Sequence, residues 1–236
     1  MKKRIWELDA FRGICVLGMV IVHFMYDLTD LYGILNWEAP VWFAFVQRWG
    51  GVLFLLISGI SATLGSRSVR RGLIVLCAGA LVSAVTYGMY RFGGFDKIII
   101  IYFGVLQCLG CCMIFWWVFK RLPNWALVVL GGCMVAAGFY LDTVVLLEQP
   151  LLVPLGFVYH NFASADYFPL LPNLGFFLLG AVLGRTVYGK KETLLPRVSE
   201  KNIIRRSLCF VGKQSLWIYL LHQPVLAGLV GLIAML

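Results

Sequence analysis

Residues 8–24 read LDAFRGICVLGMVIVHF, a largely apolar run with Arg12 and His23 set into it. Eleven positions at about 100° each return to within roughly 20° of the start, so one helical face carries both groups. At about 1.5 Å per residue they stand roughly 16 Å apart along the axis. Asp27 falls one turn beyond His23 on the same side. Ionisable groups inside a membrane span are costly unless partnered, so this stripe points to function. A polar line therefore runs from one membrane face deep towards the other.

The rest of the chain agrees with a membrane setting. Apolar residues make up 61% of the 236 residues and charged ones only 13%, far from the balance of a soluble domain. Apolar stretches recur at intervals set by bilayer thickness. They predict an all-α, polytopic membrane helix bundle forming one domain over residues 1–236. About seven transmembrane helices are expected, roughly at 11–28, 41–64, 72–90, 98–119, 124–142, 168–188 and 208–235. The lipid bilayer is the obligatory partner. The opening MKKR resembles a signal-peptide start. However, Glu7, Asp9 and Arg12 follow, and no small-residue cleavage pattern closes the apolar run, so an uncleaved first span is expected.

Charge placement gives the orientation. With a cytoplasmic N-terminus, the inner segments hold 17 of the 20 Lys and Arg residues. These are Lys2, Lys3, Arg4 and Arg12, then Arg67, Arg70 and Arg71, then Lys120 and Arg121, and eight between Arg185 and Lys213. Only Arg48, Arg91 and Lys97 fall outside. The bias predicts an N-in, C-out topology and accounts for the net charge of +9 with no nucleic acid partner. Between Thr143 and His160 an apolar segment is broken by Pro150 and Pro154, which fits an interfacial or re-entrant piece on the outer side. Residues 189–206 read as a basic cytoplasmic linker. Gly180 and Gly184 make a small-xxx-small pair suited to close helix contact.

All seven cysteines lie in apolar segments, which argues against a disulfide framework. Cys108, Cys111 and Cys112 have the look of half a metal site. No second pair follows at ligand spacing, so no metal is expected.

Under this topology the three histidines all fall in the outer half or beyond. His23 comes late in an outward-going helix, and His160 precedes the sixth span. His222 sits in the seventh, beside Pro224, which frees the Leu220 carbonyl, and on the same face as Ser215 and Tyr219. Asp27 and Asp166 flank the same outer region. Histidines with carboxylates there suit proton transfer near neutral pH. Against each stands an ordinary structural role: a packing histidine, an interfacial carboxylate, helix-packing glue at His222, an exposed loop residue at His160. Ser58 and Ser61 read as helix-contact residues. Gln107, mid-span, needs a hydrogen-bond partner. The stretch SRSVRR puts Arg67, Arg70 and Arg71 in a short inner loop, where guanidinium forks match phosphate oxygens; positive-inside bias explains the same cluster. No phosphate-loop glycine pattern accompanies it, so nucleotide hydrolysis is not expected.

LDAFRGICVLGMVIVHF, LFLLISGIS, DYFPLLPNLGFFLLGAVLGR and GKQSLWIYLLHQPV together resemble the heparan-α-glucosaminide N-acetyltransferase catalytic family, within the wider transmembrane acyltransferase superfamily. The Arg-x10-His spacing appears as Arg12 with His23, and the Arg-x-x-Arg loop as Arg67 with Arg70. The resemblance implies an acyl group, acetyl in the first instance, carried from cytoplasmic acetyl-CoA to a sugar or glycan amine or hydroxyl at the outer face. His23 would be the general base, with direct transfer and an acyl-histidine intermediate both open. Asp27 or Asp166 would orient an imidazole or hold the acceptor, and His222 is a further catalytic candidate. Arg12, Arg67, Arg70 and Arg71 would bind the donor's phosphates. Superfamily members with about ten spans are larger, which makes a homo-oligomer one way to complete the bundle. Compact loops point to a bacterial inner membrane. Two rival classes remain: a small proton-coupled transporter, against which no inverted repeat is seen, and a non-catalytic membrane subunit.

Overall fold

The computed structural model describes residues 5–143 and 150–235. Among them, eight α-helices follow in order: α1 (Trp6–Tyr26), α2 (Val41–Leu64), α3 (Ser68–Phe92), α4 (Val105–Phe119), α5 (Asn124–Thr143), α6 (Leu170–Thr186), α7 (Ile203–Lys213) and α8 (Ser215–Ala234). A wide π turn, Asp27–Leu31, extends α1. With that turn α1 forms a 26-residue apolar stretch, and α2, α3, α5 and α8 run 24, 25, 20 and 20 residues, each long and apolar enough to cross a bilayer. α4 and α6 are apolar but shorter, at 15 and 17 residues. The chain is an integral, multi-pass helical membrane protein.

It divides into two compact units, one of residues 1–54 with 191–236 and the other of residues 55–190. In the second, glycines let helix backbones touch. A Cβ on Gly59 would strike the Phe177 carbonyl of α6, and one on Gly180 would strike Leu56. Gly184 meets Thr63 and Ile60 in the same way, so the small-residue pair read from the sequence does lie at a close helix contact. Gly72 faces Gly110 between α3 and α4, and Gly131 faces Gly175 between α5 and α6. Leu55, Cys108, Leu127, Phe177 and Leu178 fill the interior, fully buried. Arg185 ties off the α4–α5 turn, donating to the Leu122 carbonyl at 2.7 Å and the Lys120 carbonyl at 2.6 Å.

In the first unit α1 meets α7 and α8. Gly212 sits against the Asp9 carbonyl and Gly13 against Leu208, so the α1 and α7 backbones cross without side chains between them. Farther along, His23 meets Gln223, and Tyr32 donates to the Ala227 carbonyl at 2.8 Å. Partners advance together along both chains, so α8 runs parallel to α1.

Two boundaries differ most from those read by hydropathy. The fourth apolar helix starts at Val105 rather than near residue 98, because residues 100–104 pair instead with 164–168. The Phe168 amide donates to the Phe103 carbonyl at 2.9 Å, and Asp166 Oδ2 accepts from the Val105 amide at 3.0 Å, taking up a free donor at the helix start. The seventh apolar stretch is split at Gln214, whose amide turns back to the Phe210 and Val211 carbonyls, leaving α7 as a separate short helix capped by Asn202. Of the segment proposed as interfacial, residues 144–149, with Glu148, lie outside the described residues, as do Lys2, Lys3 and Arg4. Residues Pro150–Leu155 form a short 3-10 turn.

Candidate functional site

α1 is unbroken from Arg12 to His23, as the spacing predicts. At its end the π turn widens the backbone, with the Tyr32 amide reaching the Asp27 carbonyl at 3.0 Å. Such turns recur at functional sites because they re-aim one side chain without ending the helix. Here Asp27 is turned fully inward, with no solvent exposure.

α8 supplies the other half. On its face towards α1, Gln223 is followed one and two turns later by Ala227, Val230 and Gly231; Gly231 lies against the Tyr32 hydroxyl. Gln223 reaches both ionisable groups of α1. Its amide nitrogen donates to Asp27 Oδ1 at 2.8 Å, and its amide oxygen lies 3.0 Å from His23 Nδ1. His222, buried beside it, stands edge-on to His23 with ring centroids 4.8 Å apart. The His222 Nδ1–H donates to the Tyr219 carbonyl at 2.7 Å, which leaves Nε2 with its lone pair.

Two polar atoms of this cluster are buried with no hydrogen-bond partner among the described residues: Asp27 Oδ2 and His222 Nε2. Buried polar atoms are nearly always paired, and a buried acceptor left bare costs about 1–3 kcal/mol. With Asp27 ionised and His222 neutral, both atoms are acceptors and suit an N–H or O–H donor.

Residues 4–224 match the heparan-alpha-glucosaminide N-acetyltransferase catalytic family. The chain belongs to that family. Comparisons with curated proteins and with solved structures gave no match. The matched stretch contains His23, Asp27, His222 and Gln223 and makes the protein a membrane-associated, acyltransferase-like member of the family.

The other residues singled out from the sequence lie apart from this cluster along the chain or in the other unit. Arg12 pairs with Asp9 on its own helix at 3.2 Å, both side chains largely buried. Arg67, Arg70 and Arg71 stand exposed around the start of α3. Asp166 belongs to the second unit, where it engages the start of α4. His160 is an exposed loop residue. Gln107 has its partners: its nitrogen donates to the Gly79 carbonyl at 2.9 Å and to Ser83 Oγ at 2.6 Å, and its oxygen accepts from the Gly104 amide at 3.0 Å.

Sequence reading passed over two features of this family member. Gln223 is one; a polar residue next to His222 in an apolar helix was the available signal. The other is a cleft of about 720 Å³ at the opposite end of α1, lined by Trp6, Asp9, Arg205, Arg206, Cys209 and Lys213. Arg205 lies over the Trp6 ring at 4.7 Å and donates to the Val198 carbonyl at 2.6 Å. Arg206 and Lys213 are exposed at the rim.

Proposed function

We propose that this protein transfers an acyl group, acetyl in the first instance, from cytoplasmic acetyl-CoA to a sugar amine or hydroxyl at the outer face of a bacterial inner membrane. The observation that carries the reading is the His23–Gln223–Asp27 cluster with its two bare acceptors. An amine or hydroxyl brings the N–H or O–H that Asp27 Oδ2 and His222 Nε2 lack. His23 takes the proton as the acceptor's nitrogen or oxygen attacks the thioester carbonyl, and returns it to the departing CoA sulfur. The products are an amide or ester and the free thiol. Asp27 and His222 hold the acceptor. Asp166 keeps the outer segments 100–104 and 164–168 in shape.

Seven crossings with the N-terminus inside are part of the proposal. α1 and α8 run parallel, which suits five crossings between them and so supports an odd total. In that topology Arg67, Arg70 and Arg71 lie on the cytoplasmic side, where guanidinium forks suit the donor's phosphates, and Arg12, Arg206 and Lys213 supply cations on that side of their own unit.

The test uses purified protein in liposomes of bacterial lipid with acetyl-CoA and glucosamine. Free thiol is expected to appear only when both substrates are present, with acetylated sugar in equal amount. Glucosamine flux without acetyl-CoA, and no thiol release with it, would replace the enzyme by a carrier.

A further inference from the structure

Gln223 joins His23 to Asp27 across 200 and 196 residues of sequence, and with Asp27 ionised its partners allow one placement of the hydrogens. An ionised carboxylate has acceptors only, so the group facing Asp27 Oδ1 is the amide nitrogen. The amide oxygen is thereby turned to His23 Nδ1. A carbonyl oxygen only accepts, so Nδ1 carries the hydrogen. A neutral imidazole has one N–H, and Nε2 keeps the lone pair.

We propose that Gln223 is a positioning residue: it relays the charge of Asp27 into one fixed tautomer of His23 and presents Nε2 as the base. Its catalytic meaning rests on the acyl-transfer reading, whereas the tautomer assignment stands without it. The amide does something a direct carboxylate contact does not. A carboxylate against Nδ1–H draws the ring towards imidazolium, a costly charge inside a span. An interposed amide orients the ring through a neutral oxygen instead. His222 reaches the same state by another route, its Nδ1–H held by a backbone carbonyl. Two rings 4.8 Å apart thus both offer Nε2.

The chain has three histidines, so ¹⁵N-histidine labelling of the full-length protein in lipid nanodiscs gives six ring-nitrogen signals, assigned with His23→Ala and His160→Ala. Above the histidine titration range, wild type is expected to show His23 with a protonated Nδ1 and a bare Nε2. In Gln223→Leu that signature is expected to give way to the Nε2–H form that free imidazoles favour, while His222 keeps its Nδ1–H signal and certifies that α8 is folded. Transfer in the variant is expected to fall by about 10- to 100-fold, as when other orienting partners are removed. A hydrogen on Nε2 of His23 in wild type, or an Nδ1–H that survives Gln223→Leu, overturns the proposal. A wild type with the expected signature but no acyl transfer upholds the tautomer assignment and removes the reading of the site as an acyltransferase.

Discussion

Gln107 and Gln223 are both amides set into apolar helices, one in each unit, and their surroundings differ in kind. Gln107 hands its hydrogens to a backbone carbonyl and a serine and takes one from a backbone amide. Its partners are fixed parts of the scaffold, next to glycine contacts that bring α3 onto α4. Gln223 instead bridges two titratable side chains, and next to it two buried acceptors have no partner. A saturated polar node stabilises a bundle, whereas an unsaturated one gives up stability to keep a place for something else. Counting unused donors and acceptors therefore separates structural from chemical roles where burial alone does not.

Substitutions can sharpen or break that contrast. The largest effect short of removing His23 is expected at Asp27. In Asp27→Asn the new amide oxygen still accepts from Gln223, but the charge and the bare carboxylate oxygen are gone. Transfer should fall on the order of 10²-fold while the melting temperature holds or rises. Steady-state kinetics and a thermal melt on one preparation decide it, and a lower melting temperature would place Asp27 with Gln107 as scaffold. His222→Phe keeps a ring in place and removes Nε2, with transfer expected to drop about tenfold and stability unharmed. Gln107→Leu should do the reverse: a loss of about 1–3 kcal/mol in chemical denaturation, from the groups it leaves unpaired, with turnover per folded molecule nearly unchanged. The smallest effects separate crowded from open glycines. Gly180→Ala drives a methyl into the Leu56 carbonyl and should cost about 1–3 kcal/mol, whereas Gly132 faces open space and its alanine variant should gain up to about 1 kcal/mol.

Helix periodicity alone placed His23 and Asp27 together, because both lie on α1 and their angular relation is local. The Gly180 and Gly184 contact was legible for the same reason. Gln223 was not, since its partners lie about 200 residues away in sequence and no local pattern encodes a tertiary hydrogen bond. Asp166 shows the same limit: a helix-start acceptor normally precedes its helix directly, but here it is 61 residues from Val105. The break at Gln214 was hidden because hydropathy averages across one turned residue between two helices.

The most direct test of an acyl-transfer site at His23 is to mix proteoliposomes rapidly with acetyl-CoA and glucosamine and follow thiol release in wild type and His23→Ala. A general base there predicts acceptor-dependent release in wild type and a loss of about 10²- to 10⁴-fold in the variant, with its melting temperature preserved. Release at the wild-type rate from folded His23→Ala would contradict it.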